Sequence, residues 1–372
     1  MTLLDRLIFR ELFPYFLFGV GLFTTLLFAG GYIYMFTEYA IAGVPLWLVL
    51  ELAALYLPQI AVKTLPMGML LAALLGFGRL SSDWEITALR GAGASLRRLA
   101  MPVLTMGLAV SLFALLFNET VVPWATAKAN SIRSEILKQI KQPGKLAAGF
   151  PQWKDGRPES FVLVTGGRDP KTNELFDVTV IKFGEEAPYE PVALAFAERA
   201  VWEGGREWAM YNGWIRFPNR PDGTFARYPE RMDIKVTDPR IRKDPNQIRA
   251  LETEVDAKTF GELREMIADQ RKEGMEPRLI RQMTVELYNK INLPLASLVF
   301  GLVGAPLGIR KQRSGAASGF ALSLAVIFFY WVLARYLIIV GGGGVIPPWF
   351  ASALPNVLGI LAAGWLLAKK ER

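Results

Sequence analysis

Apolar residues in this chain collect into two blocks, Leu12–Phe117 and Leu287–Ala368, and the stretch between them alternates in short polar and apolar steps. A helix needs about 20 apolar residues to cross the hydrocarbon of a bilayer. Leu12–Phe36 is one such run. Leu46–Leu80 is longer than one crossing and is interrupted by Pro58 and Pro66, which predicts an interfacial helix followed by a span ending near Leu80. Leu99–Phe117 makes a third span, and Val285–Leu307, Gly319–Val340 and Trp349–Leu367 make three more. The pattern predicts a membrane protein with an all-α domain of six spans, three on each side of an inserted domain.

The helical period is lost between about Ile140 and Thr237. Ser160–Thr165, Asp177–Phe183, Val192–Ala197, Trp208–Tyr211, Trp214–Phe217 and Asp233–Val236 are short β-branched or aromatic runs. Gly166-Gly167, Gly204-Gly205, Asn212-Gly213 and Asp222-Gly223 fall between them as turn dipeptides, with Asn212-Gly213 in the setting of a hairpin. Strands at this spacing predict an antiparallel sandwich or jelly roll. Thr259 and Glu262 form a capping-box pattern that opens an amphipathic helix through about Lys272, with Phe260, Leu263 and Ile267 on one face. That helix rests on the outer leaflet or packs on the inserted domain, and the pattern does not choose. The chain therefore divides into 1–125 (spans one to three), 126–256 (inserted β domain) and 257–372 (re-entry helix and spans four to six).

Charge orients these parts. Arg6, Arg10, Arg79, Arg90, Arg97, Arg98, Arg310, Lys311, Arg313, Lys369, Lys370 and Arg372 flank the same ends of the spans. The positive-inside rule makes those ends cytoplasmic, so both termini lie inside and the β domain outside. These anchors account for much of the net charge of +8, which requires no nucleic-acid partner. The charged start before a long apolar run, with no small-residue cleavage site, reads as an uncleaved first span. A mean hydropathy of +0.27 suits a chain that is part membrane and part exported domain. With no cysteine and no histidine, the chain lacks a thiolate nucleophile, the commonest general base and the usual zinc ligands. No metal site is expected.

The loop Arg79–Arg98 joins the second and third spans on the cytoplasmic side. Ser82 and Glu85 have capping-box spacing, Asp83 adds negative charge in the first turn, Gly91 suits a C-terminal cap and Ser95 can start the next helix. The loop predicts a short helix lying across the cytoplasmic face. Its acidic residues either steady a turn or meet basic groups of a partner, and the two roles are compatible.

Several segments together resemble the lipopolysaccharide-export permeases LptF and LptG. The loop motif runs Asp83, Glu85, Ile86, Leu89, Gly93, Ser95. Asp5-Arg6 opens the first span, and Leu65-Pro66-Met67 leads into Leu70-Leu71-Ala72. Asn118-Glu119 and Val122-Pro123 follow the third span. Glu286 to Lys290 precedes Leu293-Pro294-Leu295-Ala296, Gly304 to Gly308 closes the fourth span, and Pro355-Asn356 lies in the sixth. The resemblance covers nearly the whole chain. It implies a bacterial inner-membrane permease without catalysis of its own, in which two permease chains enclose a cavity open to the outer leaflet. An LptB-type ATPase dimer, which binds ATP and Mg, docks on the helix at 82–90. Lipopolysaccharide is extracted and passed through the periplasmic jelly roll to an LptC/LptA-type bridge. On this likeness Ser82, Asp83, Glu85 and Arg90 form the coupling segment, with Glu85 at the acidic contact position. The second permease is a paralogue or another copy of the chain.

Energetics agree with a powered exporter. Each CH2 drawn from a leaflet costs ~0.8 kcal/mol, so a multi-acylated lipid does not leave unaided. No G-x-x-x-x-G-K-[ST] sequence is present, so a separate chain would bind the nucleotide. Gly341–Gly344 has no following lysine and reads as a turn. In one of the family's permeases, lysines near the outer end of the first span contact lipid phosphates. Here no Lys or Arg lies between Arg10 and Lys63, and Glu38 stands where a basic residue is expected. Lys63, with Gln59 one turn away, Glu38 at that first-span position and Arg335 in the fifth span are then the candidates for lipid binding, as intramembrane ionisable residues generally are. Lys63 snorkelling to the interface and Arg335 pairing with an acidic group are the alternatives. Three other readings compete: a mechanotransmitting ABC subunit, an exporter of a different glycolipid, and a secondary transporter, which would show inverted repeats. An enzyme would have to draw on Glu185, Glu186, Glu203 and Glu207, which sit in turns and read as solvated surface.

Overall fold

The computed structural model describes residues 3–139, 148–154, 157–169, 172, 174–185, 190–204, 207–217, 225–231, 241, 255–272, 275, 277–309 and 316–371. They fall into two compact units. A helical unit takes Met1–Ala129, Asp256–Leu263 and Arg281–Arg372, and a β unit takes Asn130–Val255 and Arg264–Ile280.

Among the described residues, the helical unit has six helices long and apolar enough to cross a membrane. They are α1 (Leu3–Ile41), α2 (Leu46–Ser82), α4 (Leu96–Gln139), α6 (Pro277–Gly308), α7 (Ala316–Gly343) and α8 (Pro348–Glu371), with the short α3 (Glu85–Gly91) joining α2 to α4. The expected break in the second apolar run is absent. α2 passes through Pro58 and Pro66 as one helix of 37 residues. Proline costs a hydrogen bond and some crowding, and membrane helices tolerate it where neighbours enclose the freed groups. α2 is the most enclosed of the six, with 83% of its apolar window buried.

Small residues let the helices approach it. A Cβ on Gly19 of α1 would lie 2.9 Å from Gly68 Cα of α2, and a Cβ on Gly68 would lie 2.6 Å from Val20 Cγ2. The two backbones meet at that crossing, as at small-residue contacts between membrane helices. Around it, Ile8, Leu12, Phe16, Met69, Phe77, Leu80, Leu99 and Val103 form one buried cluster. Phe23, Met67, Leu70, Leu71, Phe300 and Ile327 form another.

Pro294 in α6 has no N–H to give the carbonyl of Lys290 four residues earlier. Asn118 of α4 supplies the missing donor, its Nδ2 lying 3.3 Å from that oxygen. The buried amide thus repairs a proline gap in the neighbouring helix. Asn118→Leu leaves the carbonyl orphaned and is expected to cost about 1 kcal/mol, within the range for a lost buried partner or interhelical bond. Thermal unfolding in detergent measures it, and an unchanged midpoint would remove the role. Further along, Ser352 Oγ donates to Asn289 at 2.7 Å and accepts from Asn292 at 2.8 Å. Asn356 donates to the Asn292 carbonyl at 2.7 Å and accepts from Tyr330 at 3.2 Å. These contacts tie α6, α7 and α8 through polar side chains in otherwise apolar helices.

The β unit is antiparallel, as expected. Its described strands β1 (Ala148–Lys154), β2 (Arg157–Arg168), β3 (Leu175–Phe183), β4 (Pro191–Gly204), β5 (Glu207–Arg216) and β6 (Phe225–Arg231) pair in chain order, as a meander. Cross-strand rows Val164–Val178–Ala197 and Val162–Val180–Ala195–Ile215 put one face inside, which is why apolar residues recur at every second position. Two expected turns prove to be bulges. Asn212-Gly213 makes no hairpin: β5 runs straight through it, with Asn212 at φ 52° and a register shift against β6. Phe196 opposite Trp214 and Trp202 opposite Trp208 hold β5 to β4 on both sides of that point. Gly166-Gly167 likewise sits inside β2, where the register shifts and Gly167 has φ 81°. β1 was not expected; it contains Pro151, which an edge strand tolerates. Asp222-Gly223 and Asp233–Val236 lie outside the described residues.

Candidate functional site

The predicted joint at the basic ends of the spans is present as α3, though its cap is different. Ser82 is the last residue of α2, and its Oγ donates to the Arg79 carbonyl at 2.9 Å. Turned back on its own helix, it cannot cap the next one. The expected Ser82–Glu85 capping box therefore does not form, and α3 begins after Trp84, which reverses the chain at φ 61° with no side-chain cap. Gly91 closes the helix, Gly93 takes the left-handed position at φ 93°, and Ser95 caps α4 through the Arg98 N–H at 3.2 Å.

Ile86 and Leu89 anchor α3 in the core of the helical unit. Arg79 fastens its start, pairing with Asp83 at 3.3 Å, with Glu85 at 3.8 Å and with Glu11 of α1. Asp83, Trp84, Thr87 and Arg90 are left exposed, and Glu85 is 36% exposed. The result is a fixed short helix with an acidic and aromatic leading edge. Nearby, Arg98 pairs with Asp5 at 2.6 Å and Arg97 with Glu371 at 3.1 Å.

At the opposite ends, sequence reasoning found half of a second site. Lys63 is nineteen residues from the basic end of α2, and Lys290 is eighteen from that of α6. At 1.5 Å per residue both stand about 27–29 Å along, close to the ~30 Å of hydrocarbon. Lys63 Nζ pairs with Asp256 at 2.7 Å, and Gln59 Nε2 donates to the same carboxylate oxygen. Asp256 belongs to a single 3-10 turn, Val255–Ala257, just before α5 (Phe260–Lys272). There Thr259 and Glu262 form the predicted capping box, with bonds of 2.8 and 3.3 Å, and Glu119 of α4 accepts the Phe260 N–H at 2.9 Å.

Lys290 completes the cluster. Its Nζ is buried with no hydrogen-bond partner, in the field of Glu119 first, then Asp256, Lys63 and Glu262. Gln59 Oε1 is also buried and unpartnered. Burial pushes the Asp256 carboxyl up, but attraction to Lys63, hydrogen bonds from Lys63 and Gln59, and the Lys290 charge together hold it below its ordinary value. Burial holds Lys258 below the usual lysine range, partly offset by Glu262. A carboxylate depressed on folding stabilises the fold above its unfolded value, and that stability is lost as pH falls through the folded value. The Asp256 tie is therefore expected to hold unchanged from neutral pH down to about 4 and to loosen only below that. Hydrogen exchange at the 255–260 amides across pH measures it, after correction for the intrinsic rate. Loosening near pH 6 would contradict it.

Sequence reasoning missed Asp256 and Lys290. An intramembrane lysine demands an acidic partner, and that demand was the available signal. The other two candidates are placed differently. Glu38 is half-buried near the far end of α1. Arg335, nineteen residues from the start of α7, is exposed on the face of Phe328, Val332, Tyr336 and Ile339. No group of three or more metal-ligating side chains occurs among the described residues.

Six apolar helices, a β unit inserted between the third and fourth, and a charged short helix joining the second to the third define a polytopic membrane protein. The sequence profile of the lipopolysaccharide export system permease LptF/LptG matches residues 6–369, and the chain belongs to that family. It is 22% identical over 330 residues to the lipopolysaccharide export system permease protein LptG of Haemophilus influenzae, covering 88% of this chain and 87% of that one. It is also 22% identical over 320 residues to LptG of Escherichia coli K12, covering 82% and 81%. The chain is thus a multi-pass inner-membrane protein of a permease family in lipopolysaccharide export.

Proposed function

We propose that this chain is the membrane-spanning half of an ATP-driven exporter that draws lipopolysaccharide from the outer leaflet of the inner membrane and hands it to a periplasmic bridge of LptC/LptA type. The observation that carries this reading is α3, pinned by Ile86, Leu89 and Arg79 with Asp83, Glu85 and Arg90 at its rim. A chain with no nucleotide-binding motif that must drive an uphill step needs such a handle for an ATPase. The ATPase is a dimer of LptB type that binds ATP and Mg, and Glu85 is its principal contact. The basic ends are cytoplasmic, with both termini inside and the β unit in the periplasm. A second LptF/LptG-type chain faces this one across the lipid path, and Lys63, with Gln59, and Arg335 meet the anionic headgroup. The chain is not itself a catalyst.

Purification of the tagged chain in mild detergent, with mass spectrometry of bound protein and lipid, tests the reading. The expected result is an ATPase, a second permease and a phosphorylated glycolipid together. An ATPase without lipid would favour a mechanotransmitter, and recovery of the chain alone would refute the assignment.

A further inference from the structure

Lys63 has a counter-ion already. Its ammonium lies 2.7 Å from Asp256, so it cannot receive a headgroup phosphate without giving up that carboxylate. Both side chains are about one-third exposed, at 33% and 31%, so a ligand can reach the pair. Gln59 also donates to Asp256. A second lysine, Lys290, has a buried Nζ with no hydrogen-bond partner and stands in the field of Glu119 first and of Asp256 next. The carboxylate rests on Lys63 and already feels the charge of Lys290 as a second attraction.

Asp256 also occupies a particular point in the chain. It stands in the one-turn segment Val255–Ala257, next to the capped start of α5, which Glu119 holds through the Phe260 N–H. We infer that Asp256 is a displaceable internal counter-ion: a lipid phosphate arriving at Lys63 takes the ammonium, Asp256 turns toward Lys290, and the 255–260 segment loosens with it. The inference rests on Lys63 being a headgroup ligand and adds how that site is gated and what it signals. A phosphate monoester carries about −1.5 to −2 charges at neutral pH against one for the carboxylate, so it is the stronger ligand for the ammonium. Lys290 meanwhile spares Asp256 from being left uncompensated. The site thus prefers phosphate monoesters and couples headgroup occupancy to the stretch where the chain returns from the β unit.

The test uses the full chain in nanodiscs with three probes: phosphatidic acid, diacylglycerol with the same acyl chains, and inorganic phosphate. Binding is read by native mass spectrometry and segment mobility by hydrogen exchange. Phosphatidic acid is expected to raise exchange at the 255–260 amides about threefold or more, and diacylglycerol to leave it unchanged. Asp256→Asn should bind phosphatidic acid about two- to fivefold tighter, the range for removing a partly exposed competing ion pair, with raised exchange before lipid is added. Lys63→Gln should weaken binding in either background, and Lys63→Arg should restore it. If Lys63→Gln weakens binding and Asp256→Asn does not strengthen it, the carboxylate is a fixed tie and the inference fails while the headgroup reading stands. If Lys63→Gln leaves binding unchanged, Lys63 is no ligand and both fall. The same exchange response to inorganic phosphate alone would overturn the lipid form of the inference.

Discussion

Glu85→Arg is expected to leave the protein folded in the membrane and to abolish the coupling of ATP hydrolysis to lipid release. α3 is held by Ile86 and Leu89 in the core, so changing its outward carboxylate does not remove its anchor. Arg79 lies 3.8 Å from that carboxylate, so the substitution places two guanidinium groups side by side at the rim. Against the basic groups expected on the proposed ATPase, attraction becomes repulsion. Truncating one partner of a buried charge pair across an interface costs about 2–5 kcal/mol, and reversal should reach at least that, a fall in affinity of thirtyfold or more. Glu85→Gln, which keeps shape and one acceptor, should lose less. The readout is ATP hydrolysis and lipid release in proteoliposomes, with the amount of ATPase co-purified. Transport at the wild-type rate by Glu85→Arg would remove this residue from the coupling.

A larger structural effect is expected from Gly68→Val. The first added carbon would lie 2.6 Å from Val20 Cγ2, 3.0 Å from Val20 N and 3.2 Å from the Phe16 carbonyl. Val20 can turn its methyl away, but the two backbone atoms cannot follow without moving α1 as a body. The same crossing brings Gly19 against Gly68, so no slack remains on the other side. Overpacking a good core costs about 1–3 kcal/mol. Here the branched side chain also pushes apart a contact that buries Leu12, Phe16 and Phe23, so the loss should exceed 3 kcal/mol. A steep drop in thermal midpoint in detergent and in yield from the membrane is the expected result, with Gly68→Ala between the two. A Gly68→Val protein as stable as the parent would mean that α1 and α2 do not meet this closely.

Which features were legible follows from how local their causes are. Hydropathy located all six spans because crossing a bilayer needs a contiguous apolar run. The Thr259–Glu262 box was readable because both partners lie within one turn. Where one residue had two uses, the local reading failed. Ser82 could cap α3 or close α2, and its hydroxyl went to the Arg79 carbonyl of α2, a choice that spacing alone does not make. Asn212-Gly213 could turn a hairpin or bulge a strand, and the Trp214 and Trp208 pairings across to β4 decided for the bulge. The far-end cluster is the extreme case. Lys63 stood out as a lone charge in an apolar run, but Asp256 lies 193 residues away in sequence. Only the packing of α2 and α6 with the 256–263 segment identifies it as the partner. Lys290 belongs to the motif before the fourth span, and its place as a buried neighbouring charge emerges only in three dimensions.

Reconstitution is the most direct test of the central claim. The chain, with the second permease and the ATPase proposed above, is placed in proteoliposomes loaded with lipopolysaccharide, and a soluble acceptor of the periplasmic bridge type is added. ATP should drive lipopolysaccharide onto the acceptor, at a rate that falls to background without ATP or without this chain. Lipid transfer that proceeds equally without ATP, or equally when this chain is left out, would contradict the account.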